Sequence, residues 1–201
     1  MTTPHPHHGD AGRMSERTTV RYEPQEWSFL DKSAWPRGQW DREPDKVQWV
    51  DEDTGLDCLL HRNGGGAWCG YVGVAEGHAL FGIGYNQCTL AEPCDEVFCE
   101  HRPESSFEVH GGLTYSDFCQ HAADGSELPP GRGICHIPYT GRPDRVWWLG
   151  FDCAHFGDRS PAYDFNGWDD WYKDRRYATQ EVTRLAQQLH AYPAKVHNDD
   201  E

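Results

Sequence analysis

The apolar positions of the chain fall into a few short runs separated by polar, glycine-rich stretches. The strongest run is Val146, Trp147, Trp148, Leu149 and Phe151. Aromatic and β-branched residues favour strands, and this run is too apolar for an exposed edge. AWCGYVGV at 67–74 and ALFGIGY at 79–85 flank Gly77 and His78, and predict a hairpin. In SFEVH at 106–110, Phe107 and Val109 alternate with Glu108 and His110, the period of a half-buried strand. GRGICHIPY at 131–139, a turn at 140–144 and the run from Arg145 predict a second antiparallel hairpin. Residues 56–61 suit a short strand or helix. Residues 20–50 hold neither period. Trp27, Trp35, Trp40 and Trp49 are scattered there among charged residues and predict an extended arm pinned to a core by its indoles.

A helical period occurs late in the chain. Trp171, Arg175, Ala178, Val182, Leu185 and Leu189 recur at helical spacing and predict a helix over about 173–190. Asp169, Asp170 and Asp174 suit the positive end of its dipole, and Pro193 follows its end. These elements predict an α+β fold. Its single domain, 20–196, has a mostly antiparallel sheet, a C-terminal helix packed on it and an extended Trp-rich N-terminal arm. Residues 86–106 read as an acidic, turn-rich loop insertion. Residues 1–19, with His5, His7 and His8, read as a disordered tail, and 197–201 as a frayed one.

Composition narrows the function classes. The formal net charge of −15 opposes general nucleic-acid binding, because the average field repels phosphate. No apolar run approaches the ~20 residues that span a bilayer, and no apolar signal core opens the chain. The expectation is a cytoplasmic protein. Its 9 tryptophans, 9 tyrosines and 8 phenylalanines supply the buried area that a polar composition otherwise lacks. Eight cysteines without a CxxC pair read as thiols or metal ligands in that compartment.

Candidate chemistry gathers where the apolar strand ends. Asp152, Cys153, His155 and Asp158 lie within seven positions, and Gly157 marks the change to loop. His110, before Gly111 and Gly112, is placed to join them. His110, Asp152 and His155 are candidate ligands of a divalent metal such as zinc, with Cys153 as a thiolate option. Asp158, His110 and Asp152 are the candidate catalytic groups, with Asp158 as base or as partner to a ligand histidine. A metal-bound water there would attack an ester, amide or phosphoester, which makes a small cytoplasmic hydrolase the favoured function. Thiol catalysis through Cys153 or Cys135 is the second enzymatic reading. A non-catalytic reading makes the chain a binder of a small nucleotide, through Arg132, His110 and Tyr115, or of a host protein. Separately, Cys88, Cys94, Cys99 and His101 offer a loosely spaced structural zinc site.

HGGLTY at 110–115, GICHIPY at 133–139, WWLGFDCAHFGDRSP at 147–161 and CGYVGVAEGHALFGIGY at 69–85 together resemble a family of small uncharacterised bacteriophage and actinobacterial proteins. The resemblance covers roughly residues 69–189. It implies a shared fold and a phage-like gene, hence the host cytoplasm if phage-encoded, and no particular reaction.

Overall fold

The computed structural model describes residues 30–90, 92, 94, 99–120, 126, 133–163 and 171–192, with the backbone of 23–25. The expectations for the two tails, Trp27, Arg132 and the 164–170 stretch lie outside these residues. Six strands form one antiparallel sheet: β1 (Glu23–Gln25), β2 (Lys46–Val50), β3 (Asp57–Arg62), β4 (Trp68–Val74), β5 (Tyr115–Asp117) and β6 (Trp147–Asp152). Their order is β1-β2-β3-β4-β6-β5. Among the described residues, a 3-10 helix (Gln39–Arg42), a short α1 (Pro103–Ser106) and a long α2 (Arg175–Ala191) accompany the sheet, and α2 lies against β3 and β4.

Strand alternation divides the core in two. Trp68, Val72 and Val74 of β4, with Trp147, Leu149 and Phe151 of β6, face Ala178, Val182, Leu185 and Leu189 of α2. Leu59, Cys69, Tyr71 and Trp148 face the other way, against Ile134. Both faces of β4 and β6 are therefore covered, which explains runs with almost no polar positions. Gly70 permits the close approach of α2, since a Cβ there would meet Phe151 and Val182. Asp174 caps α2, its carboxylate accepting from Tyr177 N at 2.8 Å.

Three expected strands are absent. Both edges of β4 are taken, by β3 and β6, so 79–85 cannot pair as a hairpin arm. The chain coils there instead, with Phe81 N donating to His78 O and Ile83 N to Leu80 O. Likewise β6 pairs with β4 and β5, not with 133–139. That segment crosses the sheet face, and side chains rising from β2 satisfy its backbone. Lys46 Nζ donates to the carbonyls of Gly133 and Cys135, both at 2.7 Å, and Gln48 pairs with both N and O of Ile137. The 106–110 segment runs beside α2 rather than beside a strand. Gln188 holds Glu108 N and O, and Glu181 Oε2 accepts from His110 N at 2.9 Å. The arm is also more than a wrapping: residues 23–25 and 46–50 are strands of the sheet, while Trp40 and Trp49 are buried.

Burial on the second face carries a pH consequence. Burial first, and then the Lys46 ammonium, push His61 down to about 2 from its ordinary 6.5. The unfolded chain therefore binds a proton that the folded chain refuses between these values, so stability falls as pH falls from about 6.5. The limiting slope is ~1.4 kcal/mol per pH unit for one such proton. Urea unfolding between pH 7 and 5 should show this loss, and His61→Gln should flatten it. An unchanged slope in that variant would assign the acid sensitivity elsewhere.

Candidate functional site

The site is assembled from three chain segments. Glu181 and Tyr177, on α2, hold His110 by its backbone N–H and by Nδ1, the latter 2.9 Å from the Tyr177 hydroxyl. The turn after β6 supplies His155 and Asp158, with His155 N donating to Asp158 Oδ2 at 2.9 Å and Asp158 N to His155 O at 2.9 Å. Gly157, at φ 87°, allows that turn. Residues leading into α2 supply Lys173. Trp171 pairs alongside Asp158, which brings Lys173 Nζ to 3.2 Å from Asp158 Oδ1.

Asp158 is the hub. Its side chain is 4% exposed, and Oδ2 lies 2.7 Å from His110 Nε2. A carboxylate only accepts, so Nε2 carries the proton, and in the neutral ring Nδ1 accepts from the Tyr177 hydroxyl. Burial works to raise the Asp158 carboxyl, but hydrogen bonds from His110, from His155 N–H and from Lys173 outweigh it and hold the group below its ordinary 3.8. Burial, then Glu181, raise Tyr177, which stays a phenol.

His155 completes the cluster. Its ring lies edge-on to that of His110, with centroids 5.4 Å apart. Gly111, at φ 66°, makes room, since a Cβ there would run into the His155 ring. The buried Nδ1 of His155 has no hydrogen-bond partner and lies 3.7 Å from Asp158 Oδ2 and 3.9 Å from Asp152 Oδ1.

Of the residues expected here, His110, His155 and Asp158 come together. Their ligating atoms all lie within 4.8 Å of one another. Asp152 and Cys153 do not join them. Strand alternation turns Asp152 toward the face of Trp148, where it accepts from Thr114 Oγ1 and Ala154 N. Its Oδ1 nevertheless lies 3.9 Å from His155 Nδ1, beside the cluster. Cys153 points into the helix-side core, and burial, reinforced by Asp158, raises its thiol far above the ordinary range. That disfavours it both as thiolate ligand and as nucleophile. Cys135 is no better, because its sulfur is at bonding distance from Cys119. The nucleotide pocket also divides. Tyr115 packs edge-on against Tyr71 on the face away from α2, so it does not line a cavity with His110.

Lys173, Tyr177 and Glu181 were not expected at the site. The available signal was Glu181, a charge inside the apolar stripe between Ala178 and Val182, 5% exposed. A buried charge must be paired, and here it fixes the His110 backbone.

Two cysteine groups also have ligand spacing. Cys88, Cys94 and Cys99 gather as expected, with Cys94 and Cys99 at bonding distance and Cys88 Sγ 3.5 Å from Cys94 Sγ. His101 is exposed and outside that group. Cys119, Cys135 and His136 form the other. Of the eight cysteines expected as thiols or metal ligands, four form two sulfur pairs at bonding distance and Cys58, Cys69, Cys88 and Cys153 are free thiols.

Fold and site together define an α+β unit with a histidine–aspartate cluster where the 155–158 turn meets α2. Comparison with protein-family models, curated proteins and solved structures returns no match. Among the described residues, no helix is long and apolar enough to cross a membrane.

Proposed function

We propose that the chain is a small hydrolase whose reaction centre is a divalent metal, zinc first, held by His110, His155 and Asp158. The observation that carries this reading is the convergence of three ligating groups from two chain segments, at 110 and in the 155–158 turn, beside a His155 Nδ1 that is buried without a hydrogen bond. Donors bound at ~2 Å in a tetrahedral site stand about 3.3 Å apart. The present separations of 2.7 and 3.7 Å from Asp158 Oδ2 bracket that value, so small side-chain rotations suffice. Three protein ligands leave a fourth position for water, the composition of catalytic rather than structural zinc sites.

Supporting groups fit the same reading. With Nε2 on the metal, His110 would turn its Nδ1–H to the Tyr177 hydroxyl, the kind of outer contact that fixes a ligand ring. Lys173 holds the remaining Asp158 oxygen. The metal would lower the pKa of its water toward neutrality, and the resulting hydroxide would attack a carbonyl or phosphoryl centre of a small-molecule or nucleotide substrate. Asp152, beside His155, is the carboxylate placed to take up a proton.

Mn2+ titration followed by electron paramagnetic resonance tests this reading, since imidazole and carboxylate suit that ion and thiolates do not. One site per chain is expected. His110→Ala, His155→Ala and Asp158→Asn should each weaken it by more than the ~10–100-fold typical of supporting residues, with circular dichroism unchanged. Wild-type protein that binds no Mn2+ or Zn2+ at these residues would end the metal reading. Loss of a small anionic ligand without turnover in the same variants would favour a binder, for which Lys173, 4.2 Å above the exposed Trp171 ring, is the pertinent feature.

A further inference from the structure

The sheet face away from α2 carries a second group with ligating chemistry. Cys119, Cys135 and His136 place one donor atom each within 4.8 Å of one another. His136 is 2% exposed, its ring lies edge-on to Trp148 with centroids 5.3 Å apart, and neither ring nitrogen completes a hydrogen bond. Burial, the largest influence, pushes the ring below its ordinary 6.5, against smaller opposing contributions from Asp57 and the Pro143 backbone. A buried polar group left without a hydrogen bond is destabilising, so an imidazole in this state beside two sulfurs requires a reason.

The frame of this group does not depend on the sulfur–sulfur bond. Lys46 Nζ grips the carbonyls of Gly133 and Cys135 at 2.7 Å each. Gln48 holds Ile137 on the other side, accepting from its N–H at 2.8 Å and donating to its carbonyl at 3.0 Å. Next to Cys119, Gln120 N donates to Ile134 O at 3.2 Å, and Ile134 N to Gln120 Oε1 at 3.3 Å. Hydrogen bonds on both sides therefore keep the two thiols adjacent when the bond is broken. Because 133–139 is not a strand, consecutive residues need not alternate, and Cys135 and His136 can serve one centre.

We propose that Cys119, Cys135 and His136 form a redox-gated site for a thiophilic divalent cation such as zinc, closed when the cysteines are joined and open when they are reduced. Opening consumes one dithiol. Two electrons and two protons pass to the protein sulfurs, and the reductant leaves as its own disulfide. Binding then releases two thiol protons and forms two metal–sulfur bonds and one metal–nitrogen bond, leaving a fourth position on the half-buried Cys119 side. The Pro143 backbone is the neighbour to which the ring nitrogen left protonated by the metal would turn. The Cys88, Cys94 and Cys99 group shows no comparable buried imidazole.

Site-resolved alkylation tests the proposal in the whole protein. After reduction by a dithiol and desalting, one portion receives Zn2+ before iodoacetamide, and the peptides bearing each cysteine are read separately by mass spectrometry. Zinc should slow labelling of both Cys119 and Cys135 by about tenfold or more, the consequence of tying up the reactive thiolate. His136→Ala should need at least about tenfold more zinc for the same protection. Unreduced protein should give no thiolate-to-cobalt charge-transfer band with Co2+ that Cys119→Ser removes. Equal labelling of wild-type Cys119 and Cys135 with and without zinc overturns the site, whether or not the variants fold. Protection at unchanged zinc concentration in folded His136→Ala overturns the imidazole's part in it.

Discussion

Arg62→Ala is expected to lower stability by about 3–5 kcal/mol, the range for breaking a buried ion pair from one side. The guanidinium is fully buried, lies over the Trp68 ring at 4.2 Å, and touches Glu43 at 2.7 Å, Asp45 at 3.3 Å and the Tyr172 hydroxyl at 2.8 Å. Glu43 in turn accepts from Trp68 Nε1 at 3.1 Å and from Arg175 N, at the start of α2, at 2.7 Å. One cation thus joins the arm, β3, β4 and the helix start. Its loss takes the cation from the Glu43 carboxylate and leaves the buried Asp45 with Lys32 as its ion-pair partner. For a chain of this size, ~2–4 °C per kcal/mol converts the loss to a fall in Tm of about 6–20 °C. Arg37→Ala is the control. Its partner Asp41 is 2.7 Å away, but the Arg37 side chain is 93% exposed, and such pairs contribute ~0–1 kcal/mol. Similar shifts for both variants would mean that the Arg62 network does not join these elements.

Leu185→Asp should be still more damaging, by several kcal/mol, because Leu185 is fully buried among the side chains between α2 and the sheet. Its buried neighbours on α2, Val182, Ala186 and Leu189, offer a carboxylate no cation, so it must be protonated or the helix must lift. Gln188→Ala, on the same helix, tests a different contact. Gln188 lies off the apolar stripe and reads as dispensable from periodicity alone. Its amide nevertheless pairs with both backbone groups of Glu108, at 2.8 and 3.0 Å. A loss of ~1 kcal/mol is expected from that pair. Chemical denaturation of the two variants checks the order, and equal midpoints would mean that the buried face of α2 has been misassigned.

The sequence made β6 and α2 legible because each carries a pattern that one force explains: a run covered on two faces, and a stripe at helical spacing. The hairpins were misread for a reason that local pattern cannot show. Alternation in 133–139 and 106–110 reflects coverage of a sheet face and of a helix flank, and side chains of Lys46, Gln48, Gln188 and Glu181 take the place of a partner strand. At the site, the end of β6 leads into the turn that brings His155 and Asp158 together, and His110 joins them from a segment that is not a strand. Asp152 and Cys153 stay outside the three-residue cluster because alternation carried past the end of β6 sends one to each face. Lys173 and Tyr177 lay some fifteen or more positions away and entered only through the pairing of Trp171 with Asp158. The Cys119–Cys135 contact has a sequence separation of 16, which no spacing motif announces.

The two outermost strands, β1 and β5, are only three residues each, against five to seven for the inner strands. A long bare edge offers a ladder of unpaired N–H and C=O groups to any other extended chain. Here one rim contains Pro24, which has no N–H to offer, and the other ends at the exposed Asp117. Growth of the sheet by addition of a further copy is thereby discouraged at both rims. The abundance of aromatic and β-branched residues in the interior strands, an aggregation hazard if left at a border, is confined to positions that already have neighbours on each side.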